Sequence, residues 1–253
     1  LYFRTLTKNY SVFEKEVVEA EGRLRLAAKL KKLTQYPEIT FSDFGTRRRY
    51  SRSWQDYVVG TMAHECDSRF KGTSNVSLAM KHGLMPIGTN AHELSMIYSG
   101  IFWDNDNVDP TYSQRQVPLD WENEYGLGLS IFLPDTFGSD WFFKNVVTPE
   151  QLGRWKGSRQ DSGKPLEYAE KRISEYIAAG IDPKEKLLIF ADGLNVDKMV
   201  EISKGLNGRI QYTFGLGTDG TNDLGFEPIS IVVKPSVANG HKVAKLTDNV
   251  AKA

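Results

Sequence analysis

His92 stands in Gly88-Thr89-Asn90-Ala91-His92-Glu93, just past a Gly-Thr corner and at the start of a helical pattern. An imidazole beside phosphate-binding loops can take a phosphoryl group on a ring nitrogen. The plainer reading of a lone histidine is a structural or exposed side chain, and His64, His82 and His241 fit that. No second His or Cys lies at ligand spacing, which argues against zinc. No Gly-x-Ser-x-Gly elbow is present, which argues against a Ser-His-Asp hydrolase.

Three further segments carry phosphate or sugar chemistry. Gly215-Leu216-Gly217-Thr218 follows Phe214; glycines let backbone N–H groups approach phosphate oxygens, and a helix start adds positive potential. Alone, such a corner is more often a tight turn. Ala191-Asp192-Gly193-Leu194 strengthens it, because an acid at a strand end can hold ribose hydroxyls or Mg²⁺. Arg159-Gln160-Asp161-Ser162-Gly163 puts a cation and an anion on one side of an extended stretch. Arg grips carboxylate or phosphate with two prongs, while the plainer alternative is a surface ion pair. Arg47-Arg48-Arg49 is either a solvated face or an anion site.

The elements that position these residues alternate. Strand runs are expected at 39–41, 69–71, 85–87, 127–133, 155–157, 187–190 and 210–214, each ending in one of these polar corners. Helices are expected over 52–66, 75–82, 91–102, 165–179 and 196–205, from three- and four-residue apolar spacing. Pro165 suits a first helical turn and Asn195 an N-cap. Strands alternating with helices imply a parallel sheet. The expected fold is α/β, an irregular (incomplete) TIM-like barrel of about seven parallel strands, with the corners on its active rim. The expected domains are a catalytic barrel over 1–226 and the beginning of a small β-rich accessory domain over 227–253. In the latter, Pro228–Lys234 and Val243–Leu246 read as strands, and Asn239-Gly240 as a hairpin turn. Leu1-Tyr2-Phe3-Arg4 reads as the interior of an element and Val250–Ala253 shows no stop, so a fragment is expected.

Composition excludes several classes. At 253 residues, 40% hydrophobic and 25% charged, the chain is that of a globular protein. Lys plus Arg and Asp plus Glu are both 32, so bulk charge gives no affinity for nucleic acid. Cys66 is the one cysteine, which excludes an intrachain disulfide and points to a reduced, cytoplasmic setting. No apolar run reaches the ~18 residues of a membrane helix, and no signal-peptide pattern opens the chain.

Taken in order, the corners resemble those of nicotinate phosphoribosyltransferase, a type II phosphoribosyltransferase. The segments are Asp43-Phe44-Gly45-Thr46-Arg47-Arg48-Arg49, Gly72-Thr73-Ser74-Asn75, Gly88-Thr89 through His92-Glu93, Asp135-Thr136-Phe137-Gly138, Arg159 through Gly163, Asp192-Gly193-Leu194, and Phe214 through Thr218 with Thr221-Asn222-Asp223. The resemblance implies formation of nicotinate mononucleotide and pyrophosphate from nicotinate and phosphoribosyl pyrophosphate, coupled to ATP hydrolysis and needing Mg²⁺, in NAD salvage. This is glycosyltransferase chemistry, classed as a ligase. By the same resemblance His92 is the phosphohistidine, and Gly193, Gly215 and Gly217 cradle the 5′-phosphate beside Thr218. Asp161, with its neighbour Ser162, and Asp192 face the ribose and, directly or through water, the metal. Phe44 stacks on the pyridine ring, Arg159 lies near its carboxylate, and Arg47 holds phosphate or the nicotinate end. A homodimer with shared sites is implied.

Ser74 bears on the substrate: the corresponding corner of nicotinamide-using relatives carries an acid, which would repel nicotinate's carboxylate, whereas Ser donates to it. The chain departs from the family at Lys164, where a second Asp is common. The family's N-terminal domain is also missing from the pattern. Alternative readings are a non-catalytic fragment that binds phosphoribosyl pyrophosphate or nucleotide, and another type II phosphoribosyltransferase acting on nicotinamide or quinolinate.

Overall fold

The computed structural model describes residues 10–103, 109–228 and 230–248. The expectations for Leu1–Arg4 and Val250–Ala253 fall outside them. The chain divides into two compact units. The first comprises residues 1–88, 193–205 and 213–232; the second comprises 89–192, 206–212 and 233–253.

In the first unit, α1 (Val12–Leu33) opens on a capping box. Ser11 Oγ accepts from the Glu14 N–H, and the Glu14 carboxylate accepts from the Ser11 N–H. Its buried residues Gly22, Leu26, Leu30 and Leu33 share one face. A Cβ on Gly22 would lie 2.7 Å from the Trp54 ring, so the absence of a side chain there lets α2 (Arg52–Glu65) approach. Trp54, Val58, Val59 and Met62 form the buried stripe of α2. The strands β1 (Phe41–Asp43), β2 (Phe70–Thr73) and β6 (Gln211–Leu216) are parallel in the order β2-β1-β6. Phe41 pairs with Phe70 and Phe214, and Phe41 and Phe214 have no exposed surface. This part also holds α3 (Val76–His82), capped by Asn75, and most of α9 (Val196–Leu206), capped by Asn195.

The second unit holds β3 (Ile131–Phe132), β4 (Gly157–Gln160) and β5 (Leu187–Phe190), parallel in the order β5-β4-β3. Around them lie α4 (His92–Ile101), α5 (Thr111–Tyr125), α6 (Ser139–Asn145), α7 (Pro149–Arg154) and α8 (Pro165–Ala178). The core centres on Phe132 stacked against Trp155, ring centroids 4.1 Å apart and 10° from coplanar, with Phe142 and Val146 beside them. Residues 237–242 form a hairpin, β7 (Val237–Ala238) and β8 (His241–Lys242), turned by Asn239 and Gly240 at φ 50° and 81°. Two successive positive φ values are what the type I′ turn requires of an Asn-Gly pair. The return strand is thus His241–Lys242 rather than Val243–Leu246, and no strand forms over Pro228–Lys234 among the described residues.

The fold is α/β with six parallel strands flanked by helices, in keeping with an incomplete TIM-like barrel. The seventh expected strand, 85–87, is a single bridge between Pro86 and Thr73. Proline lacks the N–H that would extend a ladder. The five expected helices form within a residue or so of their expected bounds. Several strands begin later than their apolar runs, so Arg159 lies within β4 and Asp43 ends β1.

Gly157 tests this packing. A Cβ there would sit 1.8 Å from the Leu187 carbonyl oxygen of the neighbouring strand. Gly157→Ala is expected to cost about 3 kcal/mol and, at roughly 2–4 °C per kcal/mol, to lower Tm by several degrees. Gly153→Ala, in exposed helix with nothing within 4 Å of its new Cβ, is expected to leave Tm unchanged or slightly raised. Thermal denaturation of both variants checks the contrast.

Candidate active site

His92 is the first residue of α4 and is buried. Its Nδ1 lies 2.9 Å from Thr136 Oγ1, in the corner after β3. Its Nε2 lies 3.0 Å from Asp161 Oδ2, just past β4, and 3.6 Å from Asp135 Oδ1. Asp161 uses its other oxygen on Arg159 Nη2 at 2.6 Å, and Arg159 Nη1 donates to Thr89 Oγ1 at 3.0 Å. Arg159 and Asp161 therefore do pair, as an ion pair about four-fifths buried rather than one on open surface. Ser162 Oγ donates to Asp135 Oδ2 at 2.6 Å, tying the corner after β4 to the corner after β3. All of these residues belong to the second unit.

Lys245 completes the cluster. Its ammonium lies 2.9 Å from His92 Nε2, 3.1 Å from Asp135 Oδ2 and 4.0 Å from Asp161 Oδ2. Sequence reasoning missed it, because a single Lys in a short polar tail carries no spacing signal. Asp135 and Thr136 were visible in a family segment, yet nothing local assigned them to His92 across 43 and 44 residues.

Burial works to raise the Asp161 pKa, but the hydrogen bond with His92 and the charges of Arg159, His92 and Lys245 outweigh it. The carboxyl is held well below the usual carboxylate range. Asp192 follows β5 in the same unit and is half-buried.

The first unit presents a second set. Phe44 N–H donates to the Leu216 carbonyl at 2.8 Å, and the Phe44 ring covers Gly215, where a Cβ would lie 2.6 Å from ring carbon Cδ2. Gly215 is thus required by the approach of the ring. A Cβ on Gly217, by contrast, would meet no atom closer than the Phe44 carbonyl oxygen at 3.8 Å, so its surroundings are open. Gly217 caps the short helix α10 (Thr218–Thr221), which Thr218 begins. Gly45 is closed in by Thr221 Oγ1, which donates to the Gly45 carbonyl at 3.0 Å. Arg47 is exposed on the 3-10 turn Thr46–Arg48, and Ser74 is exposed with its N–H on the Asp43 carbonyl. Gly193 is exposed at φ 56°, and its carbonyl accepts from Lys198 Nζ at 2.8 Å.

Beneath these residues a polar network fixes the corner after β1. Asp43 accepts from Thr73 Oγ1 at 2.6 Å, Gln55 Nε2 at 2.8 Å and the Gly45 N–H at 2.8 Å. Burial raises the Asp43 pKa against those hydrogen bonds and the charge of Arg49. Gln55 also accepts from Arg49 Nη1 at 2.9 Å. The other histidines are peripheral: His64 is exposed, His82 pairs with Asp56, and His241 stacks on Trp103. No helix among the described residues is long and apolar enough to cross a membrane.

The profile of the nicotinate phosphoribosyltransferase (NAPRTase) family matches residues 39–253. Among solved structures, the chain is similar to the nicotinate phosphoribosyltransferase of Porphyromonas gingivalis, with 34% identity and a TM-score of 0.80 over 93% of this chain and 59% of that one. It is also similar to the nicotinate phosphoribosyltransferase of Vibrio cholerae, with 30% identity and a TM-score of 0.86 over 98% of this chain and 60% of that one. The chain thus spans about three-fifths of the length of these structures. On the extent of the family match and the identity of these folds, the chain belongs to the nicotinate phosphoribosyltransferase family.

Proposed function

We propose that the chain is the catalytic portion of a cytoplasmic enzyme of NAD salvage. It transfers the phosphoribosyl group of phosphoribosyl pyrophosphate to nicotinate, releases pyrophosphate, and couples the transfer to ATP through a phosphohistidine on His92. The observation that carries the reading is the fixed orientation of that ring. Thr136 holds Nδ1, so Nε2 is the nitrogen turned toward Asp161 and the nitrogen that accepts phosphorus.

In the phosphoryl step the Nε2 lone pair attacks the γ-phosphorus, the bond to the β-phosphate oxygen breaks, and ADP leaves with the electron pair. The Nδ1 hydrogen stays on the ring, against Thr136 Oγ1. With its single hydrogen on Nδ1, the ring offers none to Asp161, whose Oδ2 oxygen is left to face the ribose, where positive charge develops as the anomeric bond breaks. By the family resemblance, Arg159 lies near the nicotinate carboxylate, the backbone amides of Gly193 and Gly217 take the 5′-phosphate and Phe44 stacks on the pyridine ring, and a neutral ring nitrogen attacks without a general base.

Mg²⁺ enters this reading with the substrates. His92, Asp135 and Asp161 are the one cluster of three possible ligands among the described residues. The Lys245 ammonium already lies against its ligand atoms, so these residues do not fit a resident Mg²⁺. The ion instead belongs on the phosphate oxygens of ATP and phosphoribosyl pyrophosphate. In the proposed assembly, a homodimer, the partner completes the pyridine site.

Two measurements test the reading. Nicotinate, phosphoribosyl pyrophosphate, ATP and Mg²⁺ are expected to give nicotinate mononucleotide with the full-length protein; absence of product leaves only the binding role. With γ-labelled ATP the protein is expected to acquire acid-labile, base-stable label that His92→Ala abolishes, and equal labelling of that variant refutes the assignment. Ser74 tests the substrate. Ser74→Asp is expected to lower kcat/KM for nicotinate by about a hundredfold, from a like charge facing its carboxylate, and to narrow the gap to nicotinamide. An unchanged ratio of the two rates places selectivity elsewhere.

A further inference from the structure

Residues 234–248 are pinned to the second unit at several points. Lys234 pairs with Glu93 at 2.8 Å, and Gly100 leaves room for Ala238, whose carbonyl oxygen would lie 2.6 Å from a Cβ. The Leu246 N–H donates to the Thr136 carbonyl at 2.7 Å. The Asp248 N–H donates to Ser162 Oγ at 3.1 Å, and the Asp248 carboxylate accepts from the Ser139 N–H at 2.7 Å and from the Ser139 hydroxyl. The segment therefore bridges the corner after β3 and the corner after β4, with Lys245 immediately before its two backbone anchors. Its side chain is 19% exposed against a His92 that is 5% exposed.

We propose that Lys245 is a catalytic residue of the phosphoryl step, a cation that presents the Nε2 lone pair of His92 and then takes the oxygens of the arriving phosphoryl group. The proposal rests on the phosphohistidine reading above. Nε2 has two partners that demand opposite hydrogen states. Asp161 Oδ2 at 3.0 Å can only accept, so it needs a hydrogen on Nε2. The ammonium at 2.9 Å can only donate, so it needs the lone pair. The lone-pair state is the nucleophilic one, and the Lys245 contact is what favours it. That state leaves its single hydrogen on Nδ1, where Thr136 Oγ1 can accept it.

The same cation answers a second demand. Asp135 and Asp161 are offset by Lys245 and Arg159, two charges of each sign. A phosphoryl group on Nε2 adds negative charge beside both carboxylates. Arg159 is engaged with Asp161 and Thr89, whereas Lys245 touches the reacting nitrogen itself. As the Nε2–phosphorus bond forms, the lone pair is consumed and the ammonium transfers its donors to the phosphoryl oxygens.

The test measures the rate of label transfer from γ-labelled ATP to His92, the rate of mononucleotide formation without ATP, and Tm, in the full-length protein. Lys245→Met is expected to slow labelling by 100-fold or more, to lower Tm by several degrees because the buried Asp135 loses its ammonium partner, and to lower the ratio of labelling to ATP-independent rate at least tenfold. Lys245→Arg is expected to recover part of the labelling rate. Treating Lys245→Cys with 2-bromoethylamine restores an ammonium of nearly the same reach and is expected to restore labelling; Cys66 is buried and remains unmodified. Labelling by Lys245→Met at the unsubstituted rate overturns the proposal while the phosphohistidine reading stands. A parallel fall of labelling and ATP-independent rate, with no recovery on aminoethylation, also overturns it in favour of a structural role. Failure of the unsubstituted protein to label removes the phosphohistidine reading itself.

Discussion

Two carboxylates, Asp135 and Asp161, converge on one buried imidazole, and that convergence governs the second unit. Buried charge of one sign is unstable unless cations and donors meet it. The chain supplies them from separate places: Arg159 from within β4, Thr136 and Ser162 from two corners, and Lys245 from a segment more than eighty residues further on. Each must arrive in a fixed position, because a small displacement would leave a buried carboxylate unpaired. The anchoring of residues 246 and 248 to those corners is the backbone expression of that demand.

The first unit solves a related problem with neutral partners. Asp43 is more deeply enclosed than Asp161, and its hydrogen bonds come from a threonine, a glutamine and a backbone amide, with Arg49 acting at greater range. The two carboxyls shift in opposite directions for that reason: the His92 hydrogen bond and the surrounding positive charge outweigh burial at Asp161, whereas neutral donors do not at Asp43. Asp43 is accordingly a brace for the loop carrying Phe44 and Arg47, and Asp161 is a charge kept available.

Much of this was legible in the sequence. The helices at 52–65, 92–101 and 165–178 follow from apolar spacing and local capping, which depend on neighbours a few residues away. The Asn239-Gly240 turn is likewise local. The pairing of Arg159 with Asp161 follows from two-residue alternation along a strand. Less legible was α1, whose apolar stripe is thin amid many charges, so that only its contact with Trp54 reveals the buried face. The strand at 85–87 failed because Pro86 removes a ladder donor, a local fact outweighed in the reading by its apolar neighbours. Lys245 was illegible for a different reason: its meaning lies entirely in tertiary placement.

Gly215 has a packing cause beside the ligand role expected of it. A glycine at the end of β6 suggested a phosphate cradle, and its missing side chain also makes room for the Phe44 ring. Gly217, two residues on, has the open surroundings that a ligand-facing backbone amide requires. The Gly-x-Gly corner thus divides its labour: one glycine lets an aromatic ring settle on the strand end, and the other leaves backbone exposed next to it. In the proposed reaction this couples two binding tasks through one short turn, since moving Phe44 against the pyridine ring would also shift the strand end that carries Gly217. A larger residue at 215 would therefore be felt at the ring and at the phosphate together, whereas one at 217 would be felt at the phosphate alone.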